Sequence, residues 1–259
     1  MRLLVFGGTG GLGGELTRQA GPAAVAVGSR DADLRDPAAV RDLVRRVRPD
    51  AIVNAAYRQD DWVVTADGAA HVAAAARSCG VRLVHVSSDA VFSGVAGRYD
   101  ETCPPAPATV YGAAKAAAET AVRAVDAGAV IARTSLIVGG PRTVIAARVH
   151  AGGVFFTDDV RCPVDVGDLA TALLELAASP YAGVHHVAGA DAVSRYELAR
   201  LIAARDGLDP ASVVAGSRAA AGLSGAGDVR LDCAFTQARL TVTLRGARDF
   251  LTAGPAGPG

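Results

Sequence analysis

The segment RLLVFGGTGGLGGEL, Arg2 to Leu16, decides the fold. Arg2 to Phe6 is a short apolar run that reads as a strand. It passes directly into Gly7, Gly10 and Gly13, spaced G-x-x-G-x-x-G, and Glu15 to Ala20 continues a helix. Strand, glycine turn and helix in that order open a βαβ unit of the dinucleotide-binding kind. The backbone must turn tightly there and approach a pyrophosphate closely, which leaves no space for side chains. The helix N-terminus offers unpaired N–H groups and a positive dipole end to the phosphates. Gly7, Gly10, Gly11, Leu12 and Gly13 are the expected contacts.

Outward from this segment, short apolar runs alternate with helical patterns, the signature of a parallel sheet covered on both faces. Strands are expected at Ala23 to Val27, Ala51 to Asn54, Leu83 to Ser87, Ala129 to Thr134 and Gly183 to Ala188. Helices are expected at Pro37 to Val47, Thr65 to Ser78, within Pro107 to Val125, and at Val166 to Ala177. Asp36 is placed as an N-cap with Pro37 in the first helical position. Ser194 with Glu197 reads as a capping box for a helix to Ala204. The fold class is α/β, a Rossmann-type doubly wound parallel sheet. Residues 1–140 with 163–190 form the expected dinucleotide-binding domain, and 141–162 with 191–252 a smaller substrate-binding region. The segment Ala215 to Gly227 reads as a loop, and residues 253–259, all Gly, Pro and Ala, as a disordered tail.

Composition narrows the function classes. The 259 residues are 51% hydrophobic and 20% charged, with a formal net charge of zero. That balance supplies a buried core and no basic field for nucleic acid. The RDLVRRVR run, Arg41 to Arg48, carries Leu43, Val44 and Val47 at helical spacing, so its arginines form a solvated helix face. Cys79, Cys103, Cys162 and Cys233 are scattered without CxxC spacing, so reduced thiols in a cytoplasmic protein are expected. Neither a signal peptide nor a membrane-length apolar run is read, and a homodimer is the default assembly. Of the 26 basic side chains only Lys115 is a lysine.

That lysine sits in Tyr111-Gly112-Ala113-Ala114-Lys115, which puts Tyr111 and Lys115 on one helical face. Carbonyl–alcohol chemistry by hydride transfer needs a proton donor at the oxygen. A phenol serves when a nearby ammonium stabilises its anion. Arginine does not shed its proton and is no simple substitute. Ser88 ends a strand at the carboxyl edge of the sheet, where ligands bind in open α/β folds, and its hydroxyl can donate to a substrate carbonyl. Ser88, Tyr111 and Lys115 are thus the candidate catalytic set. On the adenosine side, Ser29-Arg30 follows the second strand and suits a 2′-phosphate, while Asp31 and Asp33 stand ready for a ribose diol. The reading leans to NADPH, with NADH the alternative, and places Asp33-Leu34 beside the adenine.

With these pieces in place, the chain resembles the extended short-chain dehydrogenase/reductase superfamily, in particular the dTDP-4-dehydrorhamnose reductase branch. The resemblance spans roughly residues 2 to 251. It is carried by GGTGGLGGEL, DLRDPAAVRDLVRRVRPDAIVNAA, LVHVSSDAVFSG, VYGAAKAAAE, ARTSLIVGG, RCPVDVGDLATALLEL, GVHHVAGADAVSRYELARLIA and VRLDCAFTQARL. It implies catalysis by Ser88, Tyr111 and Lys115, and cofactor contacts from Gly7, Gly10, Gly13, Asp33, Leu34, Asn54, Ala55, Ala56, Tyr111 and Lys115. It also implies hydride transfer from NAD(P)H to a keto group of a nucleotide-linked deoxysugar. Asp89, Trp62, Thr134 and Arg161 are the expected substrate-side residues. The chain departs from the branch at RQDDWVVTADGAA, with Thr65 where the family has asparagine, at Leu136 in place of an aromatic, and at Gly225-Ala226 in place of Arg-Pro. Related 4,6-dehydratases resemble the chain but carry Asp-Glu after the strand-end hydroxyl residue. Here Ser88 is followed by Asp89 and Ala90, and a methyl group cannot perform the second acid's proton transfer. Epimerisation, another carbonyl substrate, or a non-catalytic NAD(P)-binding regulatory subunit are the competing readings.

His185 and His186 are adjacent on a strand and point to opposite faces, so they are expected to pack rather than to share a metal. Asp60-Asp61 and Asp158-Asp159 are read as loop acids without a bound cation. No metal is expected.

Overall fold

The computed structural model describes residues 1–139 and 143–252. Six parallel strands form its centre: β1 (Leu3–Phe6), β2 (Ala24–Val27), β3 (Ala51–Asn54), β4 (Arg82–Ser88), β5 (Val130–Thr134) and β6 (Gly183–His186). They lie side by side in the order β2-β1-β3-β4-β5-β6. Alternate residues of each strand feed two separate cores. Leu4, Phe6, Ile52 and Leu83 pack under α2 (Pro37–Val47), α3 (Gly68–Cys79) and α4 (Val110–Val125). Leu3, Val5, Val53 and Val84 face α1 (Gly11–Ala20) and α5 (Val166–Ala178), whose Leu169, Leu173 and Leu176 are buried against them. Burial on both faces is why β1 and β3 read as continuous apolar runs rather than alternating ones.

The chain leaves β1 for β2 on one side and returns to β3 on the other. The connections therefore diverge at the carboxyl ends of β1 and β3, which opens the crevice where such sheets bind ligands.

The cap signals act largely as read. Asp36 accepts the N–H groups of Ala38 and Ala39 at 2.8 and 3.1 Å. Asp36→Ala is expected to lower stability by about 1 kcal/mol, measured by denaturant unfolding; no loss would mean the cap contributes nothing. Ser194 accepts from Glu197 N at 3.0 Å at the head of α6 (Arg195–Arg205). The Glu197 carboxylate pairs with Arg248 at 2.6 Å instead of completing a capping box. Two boundaries also move. Helix α1 begins at Gly11, so Gly11, Leu12 and Gly13 form its first turn and their N–H groups face outward along the axis. The helix expected from Thr65 starts as a π-helical turn, Val63–Asp67, because the Thr65 hydroxyl is drawn to Arg58, accepting from its N at 3.0 Å and donating to its O at 2.6 Å.

The remaining segments pair across long separations. Gly97–Tyr99 joins Val229–Leu231, Val154–Phe156 joins Val214–Gly216, and Val160–Arg161 joins Val193–Ser194. The expected loop at Ala215 thus begins as a strand. A third core unites Leu198, Ile202, Phe155, Phe250 and Leu251. The expected tail, 253–259, lies outside the described residues.

Candidate active site

The glycine turn is held from both sides. Gly10 N donates to Gly7 O and Gly8 N to Val27 O, each at 3.0 Å. Gly7 takes φ +77°, and a Cβ added there would meet Ala56 N at 2.8 Å. At Gly13 an added Cβ would sit on the carbonyl of Gly7, so α1 packs against the turn only because that position is bare. From the β3 side, Ala55 N donates to Phe6 O at 3.0 Å, and Asn54 Oδ1 accepts from Ala56 N at 3.2 Å. Gly7, Gly10, Gly11, Leu12, Gly13, Asn54, Ala55 and Ala56 therefore meet across the crevice between β1 and β3. The resulting cradle of bare backbone at a helix N-terminus fits a dinucleotide pyrophosphate.

Beyond β2, the acids are engaged. Asp31 Oδ2 accepts from Gly28 N at 2.8 Å. Asp33 accepts from Arg35 N at 3.0 Å and pairs with the Arg35 guanidinium at 3.1 Å; these contacts hold its carboxyl below the usual range. Arg35 also pairs with Asp61. Leu34 is buried in the core, its carbonyl 2.7 Å from His71 Nδ1, while Arg30 is exposed.

Across the crevice stand the residues of α4 and the end of β4. Thr109 caps α4 by accepting from Gly112 N at 3.0 Å. An added Cβ at Gly112 would fall on Ala90 O, so the helix lies directly on the loop after Ser88. Ser88 and Tyr111 come together here, with Tyr57 at 5.7 Å between ring centroids. Burial, then the Tyr57 phenol, pushes the Tyr111 hydroxyl far above its ordinary value, against a smaller lowering by the Ser88 hydroxyl. Tyr111 is thus protonated at neutral pH. Lys115 is buried, and its Nζ donates to Val86 O at 2.6 Å rather than to the tyrosine. Its Nζ also lies 5.9 Å from the Tyr57 ring centroid. Burial brings its pKa down to about 8.

Beside Ser88, the buried Asp89 accepts from Ser135 Oγ at 2.6 Å and from Ser88 Oγ at 3.3 Å. Arg161 Nε lies 3.6 Å from it. Desolvation raises Asp89 despite that cation. Arg161 also meets Asp159 at 2.9 Å, with Arg218 at 3.5 Å and Arg195 at 3.7 Å on the same carboxylate. Arginines therefore occupy the cation positions around Asp159, and Asp158 accepts from Arg218 N and Ala219 N at 2.7 and 3.0 Å. Thr134 is the register partner of Ser88, with its hydroxyl enclosed. Trp62 is 46% exposed at the head of the π-turn. His185 and His186 are buried, their Nδ1 atoms at Thr236 and Asp232 O, and no metal-binding cluster occurs among the described residues.

Sequence reasoning missed Tyr57, Ser135 and Asp159. Tyr57 and Ser135 directly follow the Asn54-Ala55-Ala56 and Thr134 positions already singled out, so reading one residue further would have found them. Nothing in the sequence pairs Asp159 with arginines 36 and 59 positions away.

The family described as RmlD substrate binding domain matches residues 1–252. The chain belongs to this family. Among curated proteins, the dTDP-4-dehydrorhamnose reductase of Mycobacterium tuberculosis is 37% identical over 238 residues, covering 82% of this chain and 78% of that protein. The dTDP-4-keto-6-deoxy-D-glucose reductase of Streptomyces niveus is 33% identical, covering 82% and 81%. The dTDP-4-dehydrorhamnose reductase of Bacillus anthracis, solved in complex with NADP, superposes with a TM-score of 0.87 at 23% identity over 97% of each chain. The RmlD fold thus accounts for the whole described chain.

Proposed function

We propose that this protein reduces a keto group on a nucleotide-linked deoxysugar, a dTDP-4-keto-6-deoxyhexose, using NADPH. The observation that carries the reading is the half-buried Tyr111 beside Ser88, facing a glycine cradle across the sheet's switch point. The reductase names of the M. tuberculosis and S. niveus relatives support the substrate class. Gly7, Gly10, Gly11, Leu12, Gly13, Asn54, Ala55 and Ala56 would hold the dinucleotide. Reduced nicotinamide, when bound, supplies the hydride for the carbonyl carbon. As the C=O π pair moves onto oxygen, Tyr111 gives that oxygen its proton, and Ser88 donates a hydrogen bond to it. Lys115, held by Val86 O, keeps positive charge beside the phenolate that Tyr111 becomes. Asp89, Thr134, Arg161 and Trp62 are assigned to the substrate side, with residues 141–162 and 191–252 forming that region and the sheet carrying the cofactor. Ala90 supplies no second acid, which favours reduction over dehydration.

The test is substrate-dependent loss of reduced-nicotinamide absorbance with a dTDP-4-keto-6-deoxyhexose. No oxidation by a protein that binds the cofactor tightly would overturn the substrate assignment.

For the cofactor, Asp31 and Asp33 are already engaged while Arg30 is exposed, which favours a 2′-phosphate. Arg30→Ala is expected to raise KM for NADPH about tenfold and to leave KM for NADH unchanged. Equal effects on both would remove the preference. The four cysteines are free, and no described helix is long and apolar enough to cross a membrane. We assign the protein to the cytoplasm, as a homodimer, which light scattering tests directly.

A further inference from the structure

A buried ion pair joins the candidate catalytic helix to β5. Glu119 is one helical turn beyond Lys115 on the same face of α4, and neither it nor Arg133 of β5 is more than 1% exposed. The two are bound through paired contacts: Arg133 Nε lies 3.0 Å from Oε1, and Nη2 lies 2.8 Å from Oε2. Ser87 of β4 donates to Glu119 Oε1 at 2.6 Å, and Arg133 Nη1 donates to Cys103 O at 3.1 Å. The Arg133 guanidinium also lies 5.0 Å from the Phe92 ring centroid. This pair uses residues adjacent in sequence to the site: Ser87 precedes Ser88, and Arg133 precedes Thr134.

Such a pair contributes little net stability, because desolvating both charges offsets most of their attraction. Its place in the fold indicates another use. Lys115 is clamped to Val86 O, between Ser87 and the buried His85 on the same strand. The groups facing it are His85 from β4, the Tyr57 ring after β3, and Tyr111 and Glu119 from its own helix, with Arg133 reached through Glu119. Among these, Glu119 is the only carboxylate.

We propose that the Glu119–Arg133 pair is a positioning device that sets the charge on Lys115. Glu119 acts as the ammonium's buried counter-charge, and Arg133 balances Glu119 so that the attraction is moderate. The proposal rests on Lys115 being the catalytic lysine of the reading above, yet it can be tested without turnover. Lys115 is the only lysine in the chain. Protein carrying isotope-labelled lysine therefore gives a single side-chain NMR signal, which reports the titration of this one group.

The signs follow from electrostatics. Glu119→Gln removes an anion and leaves Arg133 as a second buried cation, so the ammonium is disfavoured and the midpoint falls. Arg133→Met removes a cation and leaves Glu119 unbalanced, so the midpoint rises. Each shift is expected to reach about one pH unit, a tenfold change in the protonation constant. The double variant E119Q/R133M removes the nearer attraction together with the farther opposition, so its midpoint falls below wild type, by less than in Glu119→Gln. It also leaves no unpaired buried charge, so it folds where a single variant does not. Ser87→Ala perturbs the same network without changing charge and is expected to lower thermal stability while leaving the midpoint in place.

Opposite shifts in the single variants, with a smaller fall in the double variant, would establish the device. Unmoved midpoints, single-variant shifts of the same sign, or a double variant at or above the wild-type midpoint would overturn it. If only the double variant folds, its midpoint decides: a fall supports the device and an unmoved midpoint overturns it. The reading of Lys115 as catalytic is tested separately, by the absorbance assay.

Discussion

Tyr111→Phe is expected to reduce kcat by about 10²- to 10⁴-fold while leaving NADPH affinity unchanged. The substitution removes one oxygen and keeps the ring that packs 5.7 Å from Tyr57, so the helix and the loop after Ser88 stay in place. What is lost is the proton. The Tyr111 hydroxyl is held protonated by burial and by the neighbouring phenol, with Ser88 beside it. No other described group in the pocket is so placed. Ser88 is a poorer acid, Lys115 is turned to Val86 O, and Asp89 is committed to Ser135, Ser88 and Arg161. The glycine cradle lies on β1 and β3 and does not depend on the hydroxyl. Steady-state rates and a fluorescence titration of NADPH measure the two quantities separately. A variant retaining more than about a tenth of wild-type kcat would show that the proton comes from elsewhere.

Gly13→Ala is expected to weaken NADPH binding by about 100-fold. The new methyl would fall on Gly7 O, with Gly8 Cα close behind, and all of these are backbone atoms fixed by the turn. Relief requires α1 to move away from β1, which withdraws the Gly11–Gly13 N–H groups from the phosphates. Overpacking of this kind costs about 3 kcal/mol at its upper end, which corresponds to two decades of affinity. The control is one residue away. A Cβ at Gly14 meets nothing within 4 Å, so Gly14→Ala should bind NADPH normally and gain up to about 1 kcal/mol from helix propensity. Equal behaviour of the two variants in a binding titration would mean that the cradle is not the phosphate site.

Much of the fold was legible because its signals are local. The strand–glycine–helix opening, the alternating βα pattern and the Asp36 and Ser194 caps each depend on residues within a few positions. The paired strands Val154–Phe156 with Val214–Gly216 and Gly97–Tyr99 with Val229–Leu231 were not legible. Three residues carry no readable period, and their partners are distant in sequence. The π-turn was missed because its cause, the pairing of Thr65 with Arg58, is a side-chain choice that helical periodicity does not record.

The sequence by itself determined the cradle, the candidate trio Ser88, Tyr111 and Lys115, and the order of the elements that carry them. Residue type and short-range spacing suffice for these, since a glycine that must be bare and a tyrosine one helical turn from a lysine are local facts. Only the tertiary structure decided which acids are available. Asp31 and Asp33 are engaged near Arg30, Asp159 is surrounded by arginines, and Lys115 faces Val86 O above a buried Glu119–Arg133 pair. Charge and proton affinity depend on burial and on neighbours brought from other strands, and those distances exist only once the sheet has assembled.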